Sequence, residues 1–163
     1  MRCDAMITEK SAELLTEQIG SELAASHNYR GIALYFARQS LMGWAKLFMD
    51  QAAEEREHAE KIIAFLVDNE VPFDLPAIGA ATTRFSSALE ATQAALDSER
   101  KVSGQFRTLS SVSLEEDDYT TFQFLQWFIE EQVEEEAKMQ ALIDLINSGI
   151  NLFQAESLIE KFA

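Results

Sequence analysis

The two prolines of this chain, Pro72 and Pro76, sit in one short stretch, and only six glycines are spread over all 163 residues. Proline breaks a helix because it lacks the backbone N–H and clashes with the preceding turn, and glycine weakens one through its backbone freedom. The long tracts on either side of the prolines therefore have little to interrupt them, and the spacing predicts long helices joined by a single long linker. That linker, from Glu70 to Thr83 with Gly79 inside it, has about 14 residues and can reach about 45 Å at ~3.3 Å per residue. A reach of that size matches a long helix. No sustained strand-like alternation and no internal repeat is found.

Four helical seams follow. The first helix runs from Thr8, a candidate N-cap, to Arg38 with Leu15, Ile19, Glu22, Ser26, Tyr29, Ala33 and Phe36 on its inward face. The second, after a turn near Ser40, carries Trp44, Phe48, Gln51, Glu55, His58, Ile62 and Phe65 and ends near Asn69. A capping box at Ser87-Ala88-Leu89-Glu90 opens the third, with Phe85, Leu89, Thr92, Leu96, Glu99, Ser103 and Phe106. A turn at Ser110 to Ser113 and a second box, Ser113-Leu114-Glu115-Glu116, lead into the fourth, with Leu125, Phe128, Gln132, Glu135, Met139, Leu142 and Ile146. Gly149 closes it, and Asn151 to Phe162 forms a short amphipathic fifth segment.

The expected fold is all-α: one domain over 1–163, a four-helix bundle over about 8–147 with a long crossover between helices 2 and 3, and a short fifth helix over about 151–162. The polar residues interrupting the seams then fall at similar heights. Glu22 precedes the Ser40 turn by about 18 residues and Glu55 follows it by about 15, roughly 22 to 27 Å from the turn. Glu99, Gln132 and Glu135 stand roughly 21 to 33 Å from a turn at Ser113. Glu55-x-x-His58 alone would be an ordinary solvated helix face. Carboxylates from four helices at one level are different, because burying them costs several kcal/mol unless a cation or a hydrogen-bond network compensates. Oxygen-rich ligands with one imidazole favour iron or manganese, and the number of ligands suits two ions.

Thirteen Lys and Arg against 28 Asp and Glu leave a formal charge of −15, which repels phosphate backbones and excludes nucleic acid as the expected partner. With 47% apolar residues, the acidity belongs to a folding chain. One cysteine, Cys3, allows neither a disulfide framework nor a cysteine-rich metal site within one chain. Neither a signal peptide nor a membrane span is expected, and the reading is a cytoplasmic protein without a membrane partner.

Glu22-x6-Tyr29, Glu54-Glu55-Arg56-Glu57-His58, Glu99, Phe124-Leu125-Gln126-Trp127 and Glu131-Gln132-Val133-Glu134-Glu135 together resemble the ferritin family, specifically the non-haem bacterial ferritins. The resemblance spans nearly the whole chain. It implies a di-iron ferroxidase centre in which Glu22, Glu55, His58 and Glu99 are ligands, Glu55 bridges, and Gln132 and Glu135 shape the second position. It implies that Tyr29 hydrogen-bonds near the centre and can donate an electron, although a tyrosine on a seam is more often a hydrogen-bonded core residue than a redox group. Glu54, Glu131 and Glu134, with Glu135 shared, match a third iron site. Glu54, Glu57 and Glu60 match mineral-seeding carboxylates, or are a solvated face. The implied partners are Fe²⁺ with O₂ or H₂O₂, and a homo-oligomeric shell of twenty-four chains.

Departures narrow the likeness. Bacterioferritins carry a second Glu-x-x-His where this chain has Gln132-x-x-Glu135, so the two metal positions are expected to differ in affinity. Their haem-binding Met is replaced by Arg56, so no haem is expected. The positions that line threefold pores in animal ferritins match Phe122 and Leu125. Trp127 reads as core packing and His27 as exposed or at a subunit contact. The alternatives are a non-mineralising di-iron oxidase or peroxidase, and a metal-binding interaction protein.

Overall fold

The computed structural model describes residues 6–162, and Cys3 lies outside them. Five α-helices follow in order: α1 (Glu9–Arg38), α2 (Met42–Asp68), α3 (Ala88–Glu115), α4 (Tyr119–Asn147) and α5 (Leu152–Ile159), the last continued by a 3₁₀ turn at Glu160–Phe162. No strand occurs among the described residues. Helix α1 pairs with α2 and α3 with α4, each as an antiparallel hairpin, and α1 also packs on α3.

Local chemistry sets the ends. Thr8 Oγ1 accepts from Ser11 N and Ser87 Oγ from Glu90 N, so both expected N-caps form. The carboxylate of Glu90 reaches Ser86, not Ser87, so the box closes one residue further out than expected. The C-termini share one device. Ser40, Glu70, Asp117 and Gly149 have φ of 61, 56, 57 and 80°, each two residues beyond the last helical residue. In the first three, paired backbone bonds such as Leu41 N to Phe36 O and Ser40 N to Ala37 O complete a Schellman turn. Three of the four left-handed positions thus carry an ordinary side chain, at a cost of ~1 kcal/mol each relative to glycine.

The turn of the second hairpin differs from expectation. Ser113 is inside α3, its hydroxyl bonded back to Ser110 O, and the turn lies at Glu116–Asp118, where Asp118 caps α4 through Thr121 N. Asp118 also accepts from Thr8 N at 3.1 Å, which ties the start of α1 to the start of α4. Moving the turn improves the levels: Glu99 and Glu135 now lie about equally far from it, near 25 Å at ~1.5 Å per residue.

The linker occupies residues 69–87 and rides along α1. A Cβ on Gly20 would stand 2.9 Å from Pro76, and one on Gly31 only 2.1 Å from the carbonyl oxygen of Thr82. Gly31 therefore admits backbone where any side chain would collide. Travelling from Gly20 to Gly31, the linker runs parallel to α1, so α3 starts at the same end as α2. This is the expected crossover.

At that end α5 docks. Helix α2 has no side-chain cap of its own at Leu41; instead the Glu156 carboxylate accepts from Gly43 N at 2.8 Å, and Trp44 Nε1 donates to Leu152 O. Ala155 and Ile159 are the buried residues of α5, while Phe153 and Leu158 are exposed. Apolar packing elsewhere forms two clusters. One holds Tyr29, Phe36, Trp44, Phe48, Met139 and Leu142 with α5; the other holds Leu15, Ile19, Ile62, Leu66, Phe106, Leu125 and Phe128. The polar seam residues lie in the layer between them.

Candidate metal centre

All six seam-breaking residues are buried: Glu22, Glu55, His58, Glu99, Gln132 and Glu135 are each at most 4% exposed. Their placement follows from helical period. Glu55 and His58 lie one turn apart on α2, Gln132 and Glu135 one turn apart on α4, and Glu22 and Glu99 face them from α1 and α3.

Glu22, Glu55 and His58 form the tightest group, with ligand atoms all within 4.8 Å of one another. His58 Nδ1 stands 3.4 Å from Glu55 Oε2 and 3.7 Å from Glu22 Oε2, too far for good hydrogen bonds. Consequently Glu22 Oε2, both oxygens of Glu55 and His58 Nδ1 are buried without a hydrogen-bond partner, although such atoms normally have one. Four convergent, partnerless donor atoms of this type fit a divalent cation. Glu22 Oε1 is held by Gln18 Nε2 at 2.7 Å, a buried contact one turn back on α1.

The second half is differently furnished. Glu99 accepts from the Tyr29 hydroxyl on one oxygen and from Gln132 Nε2 on the other, the latter at 3.1 Å. Gln132 Nε2 also reaches Glu99 O and Ser103 Oγ, which fixes the amide with its Oε1 free. Glu135 Oε2 accepts from Gln51 Nε2 at 2.5 Å, and its Oε1 lies 3.4 Å from Lys138 Nζ.

Crowded, buried carboxylates resist ionisation. Burial, with Glu22 adding to it, lifts Glu55 to about 7 against the pull of His58. Burial and Glu55 lift Glu99 to about 7, opposed by Tyr29, Gln132 and His58. Burial lifts Glu135 to about 8; Lys138 opposes this, while Glu99, Glu54 and Glu55 add to it. For His58 burial disfavours the charge, yet Glu22 and Glu55 outweigh it and raise the imidazole to about 10. Tyr29 is pushed well above its ordinary value by burial and by Glu99, so its phenol stays protonated and donates.

One expectation about the site needs correction. Trp127 is 39% exposed, not core: its ring meets His58 edge-on at 5.4 Å, and Lys61 Nζ lies 3.3 Å over it. Leu125 is fully buried in the second apolar cluster, whereas Phe122 is half-buried. Glu54 and Glu131 are half-buried and Glu134 is exposed, and Glu54 meets Lys138 Nζ at 3.4 Å. Among the described residues, the third trio forms no compact ligand group like that of Glu22, Glu55 and His58. His27 is exposed, as its angle on α1 implied. Gln18 and Lys138, which touch Glu22 and Glu135, were not singled out by sequence; Gln51 was placed on the seam but given no role at the centre.

A crossover four-helix bundle with such a carboxylate and histidine layer at mid-height defines the ferritin-like class of metal-binding bundles. The chain belongs to the ferritin family: the sequence profile of the ferritin-like domain matches residues 12–148. It is 40% identical to ferritin BfrB of Mycolicibacterium smegmatis over 149 residues, covering 91% of this chain and 82% of that protein. It is 36% identical to a bacterial non-heme ferritin of Staphylococcus aureus over 141 residues, covering 86% of this chain and 85% of that one. In structure it is similar to the open pore ferritin of the archaeon Archaeoglobus fulgidus, with a TM-score of 0.90, 29% identity and 97% of both chains covered.

Proposed function

We propose that this chain oxidises Fe²⁺ at the buried layer and stores the product as ferric mineral inside a hollow homo-oligomer of twenty-four copies, in the cytoplasm. The observation that carries the reading is the set of partnerless buried donor atoms on Glu22, Glu55 and His58 between two apolar clusters, in a chain of the ferritin family. Among the described residues no helix is long and apolar enough to cross a membrane.

Fe²⁺ is the substrate. Glu22, His58 and one oxygen of Glu55 take the first ion; the other oxygen of Glu55 with Glu99, Gln132 Oε1 and Glu135 takes the second. Binding displaces the protons that the raised carboxyls and His58 hold. Each Fe²⁺ gives up one electron. O₂ takes two electrons and two protons to become H₂O₂, or H₂O₂ takes them to become two waters. The dry apolar clusters above and below keep bulk water from the ions, and the carboxylates stabilise the higher charge of Fe³⁺. Tyr29 steadies Glu99 by its hydroxyl, and should the tyrosine supply an electron, Glu99 stands ready for its proton.

The test is anaerobic loading of metal-free protein with Fe²⁺, then O₂ or H₂O₂, followed by absorbance and by iron per particle after size exclusion. Rapid oxidation with many irons retained per chain supports storage. Oxidation without retention points to a non-mineralising oxidase or peroxidase, and a few bound, unoxidised ions to a metal-binding interaction protein.

A further inference from the structure

Lys138 is, among the described residues, the one lysine or arginine ion-paired with a residue of the centre. It stands on α4 one turn beyond Glu135, with its side chain only 17% exposed. Its ammonium lies 3.0 Å from Gln51 Oε1, 3.4 Å from Glu54 Oε2 and 3.4 Å from Glu135 Oε1, so its three N–H groups face three oxygens from two helices. Gln51 closes the knot: its carbonyl takes the ammonium while its amide donates to the second oxygen of Glu135. Flipping that amide would set NH₂ against NH₃⁺ and oxygen against carboxylate, so Lys138 also fixes the orientation of Gln51.

We propose that the Lys138 ammonium is a tethered cation that fills the place between Glu54 and Glu135 where a third metal ion would bind, holding each chain to two ions. The inference rests on the reading of the adjoining layer as an Fe²⁺ site. A metal ion bonded to both Glu54 Oε2 and Glu135 Oε1 would need the same two oxygens that the ammonium holds at 3.4 Å. Competition for those oxygens and like charge both oppose it while Lys138 stays. Unlike a free ion, the ammonium cannot be oxidised, exchanged or chelated. Glu131 and Glu134 are then left as a half-buried and an exposed carboxylate without the inner wall of a third site.

The proposal is tested on assembled, metal-free protein with Zn²⁺, which occupies iron-type oxygen and imidazole sites but has no redox chemistry. Anomalous scattering from soaked crystals counts the ions at the centre, and calorimetry follows the same steps in solution. Two ions are expected in the unaltered chain and in Lys138→Arg, three in Lys138→Met and Lys138→Gln, and two again in Lys138→Met combined with Glu54→Gln. Circular dichroism and particle size establish that each variant folds and assembles. Three ions in the unaltered chain, or two in both Lys138→Met and Lys138→Gln, overturns the role of Lys138 and leaves the centre standing. No ion at Glu22, Glu55 and His58 in any of the proteins overturns the centre itself.

Discussion

The two halves of the polar layer are built from similar residue types and left in opposite conditions. On the His58 side, Glu55 and His58 keep buried atoms with no hydrogen-bond partner. On the Glu135 side, Tyr29, Gln132, Gln51 and Lys138 already serve the carboxylates. A cation entering the first half gains contacts that nothing else makes; one entering the second must displace or share existing ones. The difference teaches that affinity in such a layer depends less on the number of carboxylates than on which of them the protein has already satisfied. The first position should fill before the second.

Removing the residue common to both halves should have the largest effect. Glu55→Ala is expected to lower the rate of Fe²⁺ oxidation by ~10²- to 10³-fold, a loss of the size seen when a principal transition-state contact is removed, measured by stopped-flow absorbance after oxygen is added. A rate within twofold of the unaltered protein would erase the comparison.

Next is pH, which acts chiefly on the first half. His58, raised to about 10, and Glu55, raised to about 7, must each lose a proton when a cation binds. Zn²⁺ affinity at the first position is therefore expected to rise about 10³-fold from pH 6 to pH 8, about 100-fold from His58 and about tenfold from Glu55, with proton release seen as buffer-dependent heat in calorimetry. Stability of the metal-free protein moves the other way. Protonated His58 stabilises the fold fully below its ordinary 6.5, and that contribution fades as pH rises through about 10. Neutral Glu55 and Glu99 contribute stability that declines from their ordinary 4.5 through about 7. Both trends predict a lower Tm at pH 8.5 than at pH 6, with the gap narrowed by Zn²⁺; an equal Tm at both values would show that the charges are relieved some other way.

Gln132→Glu should make the halves more alike. It gives the second position another carboxylate oxygen and costs Glu99 a donor, so second-ion affinity is expected to rise about tenfold once the pH is high enough to ionise the added carboxyl, which burial and its neighbours hold above the usual carboxylate range. Calorimetric steps that stay as far apart as before would place the asymmetry elsewhere. Tyr29→Phe should be the mildest change. Loss of one hydrogen bond to Glu99 is worth about 1 kcal/mol, hence a few-fold slower oxidation; an unchanged radical signal by electron paramagnetic resonance in the variant would exclude Tyr29 as an electron donor.

Much of this layer was legible in the chain. Glu22, Glu55, His58, Glu99, Gln132 and Glu135 each interrupt an apolar seam at helical spacing, and all six are buried. The helix ends were harder. Ser40, Glu70 and Asp117 take the left-handed conformation that glycine usually signals, so the turn of the second hairpin carried no glycine or proline to mark it, and Ser113-Leu114-Glu115-Glu116 imitated a start that belongs to Asp118. Gln18 was visible as the residue one turn before Glu22, but a Gln–Glu pair at that spacing is common on any helix surface. Lys138 left no seam signal, because its flexible stem carries the charge from off the seam toward residues 84 and 87 positions earlier in the chain. Only the packing of α4 on α2 reveals it.

The junction at Glu156 links the order of synthesis to the order of folding. The first turn of α2 leaves the ribosome more than a hundred residues before the carboxylate that satisfies Gly43 N. During that interval Gly43 N and Trp44 Nε1 lack the partners that Glu156 and Leu152 give them in the folded chain. Docking of α5 thus acts as a completion signal: a chain cut before Leu152 retains every residue of the metal layer, yet it exposes the indole and the apolar end of the bundle to proteolysis.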